Sequence, residues 1–139
     1  MKVRPFRHDD YPAIAALHCN LNIVWPERPR TAEGWAAADR NRNPKCLHSR
    51  WVAEQDGVVV GFSSYGQSSV DYHPQRFYVN VEVAPAWQRH GIGAALYDQV
   101  MTALLPYDPR VLRADAFSNL PAGFRFLAQR GFFEAFRET

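Results

Sequence analysis

Between Phe77 and Leu104 the chain changes its hydrophobic period in a way that few folds accommodate. Phe77, Val79, Val81 and Val83 alternate with Tyr78, Asn80 and Glu82, the two-residue period of a strand with one apolar and one polar face. Further on, Ile92, Leu96, Val100 and Leu104 recur every four positions. That is the stripe of a helix buried along one side, and Pro106 ends it. The segment Gln88-Arg89-His90-Gly91-Ile92-Gly93-Ala94 joins the two. It delivers several backbone N–H groups without helical partners to the positive end of a helix dipole.

Such a turn is suited to an anion. Gly91 and Gly93 lack Cβ atoms where a phosphate would touch the main chain, and Arg89 and His90 place positive charge on the rim. The same two glycines equally suit a helix packed closely against a sheet. Two known phosphate motifs are excluded by their missing parts. No Lys-Ser or Lys-Thr follows the second glycine, and Leu96 stands where a dinucleotide fingerprint has its third glycine.

The other segments build a mixed sheet covered by helices. Val3 to Pro5 reads as a short strand, and Asp9 or Asp10 as the N-cap of a helix carrying Ile14, Leu17 and Leu21, with Pro12 in its first turn. Trp25-Pro26 and Arg28-Pro29 make Asn22 to Arg30 a loop. Thr31 can cap a helix reaching Arg40, with Glu33 in its first turn. Gln55-Asp56-Gly57 is tight-turn chemistry between the β-rich runs Arg50 to Glu54 and Val58 to Tyr65. Val111 to Phe117 reads as a strand and Pro121 to Arg130 as a helix stopped by Gly131 in a left-handed cap. From Phe132 onward one last strand can form. The expected class is α/β (α+β), a mixed and mostly antiparallel sheet flanked by about four helices. At 139 residues and 47% hydrophobic content, residues 1–139 are expected to form a single domain with one core.

Charge and cysteine usage narrow the function. A formal net charge of +2 without a basic run does not indicate a nucleic-acid surface. Cys19 and Cys46 are far apart and have no histidines at metal-ligand spacing, so they read as ordinary thiols of a reducing compartment, and no metal is expected. The start MKVRPFRHDD has no apolar run behind it, and nowhere do eighteen apolar residues stand together. Neither secretion nor a membrane span is therefore expected, and the cytoplasm is the default location.

The stretch Val83-Ala84-Pro85-Ala86-Trp87-Gln88-Arg89-His90-Gly91-Ile92-Gly93-Ala94 resembles the cofactor signature of the GNAT N-acetyltransferase superfamily, where V-x-P precedes Q/R-x-x-G-x-G/A. Val3-Arg4-Pro5 with Asp9 and Asp10 is similar to the family's opening strand and helix. Asn119 with Phe126, Gly131 and Phe132 is similar to its closing segment. The resemblance spans nearly the whole chain. It implies an acetyl-CoA co-substrate whose pantetheine arm pairs with the edge of a bulged fourth strand about Val81 to Val83. Its pyrophosphate would meet the turn from Gln88 through Arg89, His90, Gly91, Ile92 and Gly93 to Ala94, and Asn119 would lie near the arm. Asn119 also suits an N-cap ahead of Pro121.

Acetyl transfer to an amine requires a neutral amine, a polarised thioester carbonyl and a stabilised sulfur. A backbone amide of the fourth strand can polarise the carbonyl. For the base, Glu82, Tyr78 and Asn80 on the polar strand face are the candidates, with His73 just upstream. Glu82 also suits a salt-bridged strand residue. His18, His48 and His90 are assigned to helix surface, loop and cofactor rim. Two departures from the family stand out. Phe77 occupies the place of a strand glutamate used by some members, and Leu127 replaces the tyrosine that protonates the thiolate. After the last helix only Phe133 to Thr139 remain, so one closing strand is expected to be missing. A second GNAT domain, as in a tandem protein, or a homodimer would then complete the sheet. The leading expectation is acetyl transfer to a primary amine of a small molecule by direct attack. A non-catalytic acyl-CoA binding or structural half is the alternative.

Overall fold

The computed structural model describes residues 1–21, 31–88, 90–114 and 121–132. Five strands form one sheet in chain order: β1 (Lys2–Pro5), β2 (His48–Gln55), β3 (Val58–Gly66), β4 (Arg76–Val83) and β5 (Val111–Arg113). The first four pair antiparallel and β5 lies parallel to β4. The helices are α1 (Tyr11–Leu21), α2 (Ala32–Arg40), α3 (Ile92–Leu104) and α4 (Pro121–Gln129). This is the expected GNAT-type sheet.

Local chemistry explains most of these elements. The β2–β3 hairpin turns on Asp56 (φ 52°) and Gly57 (φ 81°), the pair of left-handed residues that a two-residue turn requires. Ala53 pairs with Gly61 and Glu54 with Val59, so Val60 is the extra residue of a bulge in β3; β3 and β4 pair without interruption from Gly61↔Val83 to Gly66↔Tyr78. The expectation of a bulged fourth strand is thereby corrected over those residues. The Thr31 hydroxyl accepts from Gly34 N–H at 3.0 Å and caps α2.

The start of α1 differs from the expected simple N-cap. His8–Asp10 forms a 3-10 turn, and the Asp10 carboxylate turns back to accept from Arg7 N–H at 2.8 Å. The same carboxylate pairs with both terminal nitrogens of Arg4 at 2.8 and 2.9 Å. Arg4 is itself buried and also donates to Glu54 at 2.7 Å. An aspartate serving a buried arginine is no longer free to cap from the position ahead of the helix. At the other end of the chain, α4 closes at Gly131 (φ 86°). Phe132 N–H donates to Leu127 C=O and Gly131 N–H to Ala128 C=O, the paired bonds of a glycine-terminated helix.

The sheet is covered on both faces. Ile14 and Leu17 of α1 and Trp35 of α2 pack with Val52 and Phe62. On the opposite face Val100 and Leu104 pack with Tyr65, Phe77 and Val79, while Ile92 and Leu96 pack with Ala53 and Val60. All four apolar positions of the α3 stripe are buried. The expected loop over residues 22–30, the outer part of the Val111 to Phe117 strand and the last strand from Phe133 lie outside the described residues.

Candidate active site

Strand β4 carries three features of the site, each on a different side. The first is its outer edge. Among the described residues, β5 pairs with β4 only at Arg76, Phe77 and Tyr78, and none pairs with the outer edge of β4 from Val79 to Val83. The direction of the backbone groups follows from the bonds made. Ala84 N–H donates to Val60 C=O of β3, which turns the even-numbered residues' groups toward β3. Val111 N–H donates to Gln75 C=O on the β5 side, which turns the odd-numbered ones outward. The N–H and C=O groups of Val79, Val81 and Val83 therefore point outward, away from β3, and Val83 C=O accepts from Gln88 Nε2 at 3.1 Å.

The second feature is the turn into α3. A 3-10 turn over Pro85–Trp87 precedes it, and Gly91 sits at the N-cap with φ 79°, a conformation that favours glycine. A Cβ on Gly91 would meet nothing within 4 Å, so conformation alone explains this glycine. A Cβ on Gly93 would instead lie 3.3 Å from the Phe126 ring of α4 and 3.7 Å from Val83 Cγ2. Packing therefore accounts for Gly93, and it brings the end of β4 against the start of α3. The first bond of the helix runs from Ala95 N–H to Gly91 C=O. The amides of Ile92, Gly93 and Ala94 are thus left at the positive end of a helix of 13 residues. The His90 ring stands exposed, 6.0 Å from the Trp87 ring. Outer-edge amides and helix-terminal amides adjoin each other here, an arrangement that fits a ligand with an amide-bearing arm and a phosphate.

The third feature is the polar face toward α1 and α2. Glu82 Oε1 lies 2.8 Å from His18 Nδ1 of α1, and Asn80 Nδ2 donates to Glu82 Oε2 at 3.0 Å. The Glu82 side chain is 14% exposed and that of His18 28%. The His18 ring also meets Trp35 edge-on, with centroids 5.4 Å apart. The structure thus brings Glu82 and Asn80 together and adds His18, which sequence reading had left on the helix surface. Residues 64 apart on elements of different period give no local signal of contact. His18 falls on the sheet-facing side of α1, one position beyond the buried Leu17, and that offset was the available clue. Tyr78 belongs elsewhere: its hydroxyl donates to Asp71 at 3.0 Å and accepts from Arg113 at 3.3 Å. His73 is exposed, and its Nδ1 accepts from Gln75 N–H.

Two cavities open along β2, one of them reaching this face. The larger, of about 660 Å³, runs along Pro5, Phe6, Cys46 and Trp51, away from β4. The smaller, of about 480 Å³, includes Asn80, Tyr78 and Trp35, and its contact with the polar face of β4 makes it the cleft relevant to chemistry. Asp39, His48, Arg42 and Arg50 border both. Asp39 accepts from Tyr11 at 2.6 Å, Arg42 at 2.8 Å and Arg50 at 2.9 Å. Burial alone would raise its pKa, but these hydrogen bonds, led by Arg50, hold the carboxyl well below the usual range. His48 is pushed down to about 4, first by burial and then by Arg42 and Arg50. Its ring is therefore neutral near pH 7, in contrast to the exposed loop histidine expected.

Arg89 and Asn119 lie outside the described residues. Leu127 is half-buried within α4. No helix among the described residues is long and apolar enough to cross a membrane.

Comparison with known proteins adds the family. The acetyltransferase (GNAT) family model matches residues 10–132. Among solved structures, yncA of Salmonella typhimurium, bound to its cofactor acetyl-CoA, is 26% identical with a TM-score of 0.80, covering 95% of this chain and 79% of that one. The ribosomal-protein-alanine N-acetyltransferase of Brucella melitensis is 24% identical with a TM-score of 0.79, covering 94% and 83%. An aminoglycoside N-acetyltransferase in complex with CoA superposes at 0.71 with 17% identity, covering 99% and 96%.

Proposed function

Because this chain belongs to the acetyltransferase (GNAT) family, we propose that it transfers an acetyl group from acetyl-CoA to a primary amine of a small molecule by direct attack in a ternary complex. The observation that carries the reading is the double use of β4. Its outer edge, without a described partner strand from Val79 to Val83, runs to the α3 turn, and its polar face holds the half-buried His18–Glu82 pair, whose neighbours Trp35 and Asn80 line the proposed acceptor cleft.

Acetyl-CoA supplies the activated acyl group. The outward N–H and C=O groups of Val79, Val81 and Val83 would pair with the pantetheine arm. The amides of Ile92, Gly93 and Ala94, together with Gln88, Arg89, His90 and Gly91, would hold the pyrophosphate, with Asn119 near the arm. An outward N–H of Val81 or Val83 would stabilise the negative charge gained by the thioester oxygen. His18 takes the ammonium proton at Nε2, while Nδ1 stays bonded to Glu82 and fixes the ring. Asn80 holds the second Glu82 oxygen.

Substituting His18→Gln or Glu82→Gln is expected to lower kcat by roughly 10²–10⁴-fold and to leave acetyl-CoA affinity intact. Thiol release with a panel of amines and calorimetry measure the two. Equal turnover by both variants would remove the pair from the mechanism.

Leu127 favours a second reading, a domain that binds acyl-CoA without turning it over. A thiol of ordinary pKa about 8.5 leaves tolerably without an acid, so the first reading is preferred. Binding without thiol release for any amine would establish the second. No affinity for CoA even at millimolar concentration would overturn both. A reducing cytoplasm suits the free, buried Cys46. Strand β5 ends the sheet among the described residues, which suits pairing there with a second domain or copy.

A further inference from the structure

The acceptor cleft has an unequal charge lining. Among the described residues, Arg42, Arg50 and Arg113 border it and Asp39 is the sole acid. Asp39 is shared between Arg42 and Arg50. The pattern repeats around Arg113, where Asp71 is shared between Arg113 at 2.8 Å and Arg76 at 3.7 Å, with only Arg113 of the three bordering the cleft. Each cluster thus holds two guanidinium groups against one carboxylate and leaves one positive charge uncompensated. Arg50 is almost fully buried and clamped between the Phe6 and Trp35 rings at 4.9 and 5.1 Å. Its Nε–H finds no acceptor among the described residues. Arg42 and Arg113 keep 29% and 48% of their side chains exposed and retain donors for a further partner.

Two such clusters that each lend arginine to one concave cleft suit an anion. Fixed positive charge that is not neutralised by the protein raises the local concentration of a complementary ligand, and the planar fork of arginine matches a carboxylate. The opposite end of the same strand face is negative. Glu82 and Tyr78 are four residues apart on β4, roughly 13 Å along the strand, with Asn80 between them and Arg113 paired beside Tyr78.

We propose that the acceptor is an amine that also carries a carboxylate, the carboxylate held by Arg42 and Arg113 and the amino group directed to the Glu82–His18 end. This rests on the acetyltransferase reading and adds the substrate class.

The test compares glycine, β-alanine, 4-aminobutyrate and 6-aminohexanoate with their carboxamides as acceptors, following thiol release from acetyl-CoA. The proposal expects at least one acid to exceed its amide in kcat/KM by about 10–100-fold, the range of a charge-assisted hydrogen bond. In Arg42→Gln and Arg113→Gln that ratio should fall toward unity, with Arg→Lys variants intermediate and circular dichroism confirming the fold. Amides used as well as acids by the unaltered protein would overturn it without need of any variant. If no amine is acetylated, the transferase reading falls, and calorimetry of the same pairs with CoA present decides this inference separately. Tighter binding of acids sustains a carboxylate site; equal or absent binding of acids and amides overturns it.

Discussion

At the scale of single residues, His48 shows how the cleft controls charge. The ring opens β2 largely buried, with Arg50 Nη2 at 3.5 Å from Nε2 and Arg42 nearby, so a proton on it would be desolvated first of all and would also be added to an already positive wall. Its pKa falls from 6.5 to about 4. The sign follows from linkage. Between these values the unfolded chain binds the proton and the folded chain does not, so stability is unaffected above about pH 6.5 and declines as the pH falls toward 4. An NMR titration of the His48 ring should show its midpoint near 4, and urea unfolding at pH 7 and pH 5 should show lower stability at pH 5. In His48→Gln this part of the pH dependence should disappear. A ring titrating near 6.5 would place His48 in contact with solvent.

At the scale of elements, the antiparallel pair β3–β4 determines where Glu82 stands. Gly61 is where the two strands and α3 meet. A Cβ there would lie 2.8 Å from the backbone oxygen of Glu82 and 3.1 Å from Leu96 Cδ1, and a backbone oxygen cannot rotate away. Gly61→Ala is expected to destabilise the fold by about 1–3 kcal/mol, measured by denaturant unfolding. It should also disturb the His18–Glu82 pair, read as a loss of kcat exceeding the loss of folded protein.

The elements were largely legible because their causes are local. Asp56-Gly57 specified the hairpin, the four-residue stripe specified α3, and Gly131 the end of α4. The pairing of His18 with Glu82 and the sharing of Asp39 among Tyr11, Arg42 and Arg50 were not legible, since both depend on which face of α1 and α2 meets the sheet. Among the site residues, the turn could be placed from its glycines. Tyr78 looked equivalent to Glu82 on the alternating strand, and only Asp71 and Arg113, from outside that strand, distinguish them.

At the scale of the whole molecule, the outer edge of β4 is set apart: among the described residues every other neighbouring pair of strands is held over four or more register positions, whereas β4 and β5 share three, and Val79 to Val83 have no described partner strand on that side. Outward amides at such an edge exchange with solvent unless a ligand covers them. Hydrogen exchange should therefore show protection of Val81 and Val83 when CoA is added, with little change at Phe62 and Val52 in the core. Absence of protection at the β4 edge, with binding confirmed by calorimetry, would move the pantetheine arm elsewhere.

The bond from Gln88 Nε2 to Val83 C=O gives that edge a further property. The strand edge carries its own internal competitor, a side-chain amide held where a ligand amide would donate. For that carbonyl, ligand entry is an exchange of one hydrogen bond for another rather than the making of a new one, so it contributes little net affinity. The same substitution makes the edge less available to a stray strand from another chain. Selection among ligands at this position then falls to groups that Gln88 does not imitate, above all, in the proposed reading, the phosphate at the α3 turn.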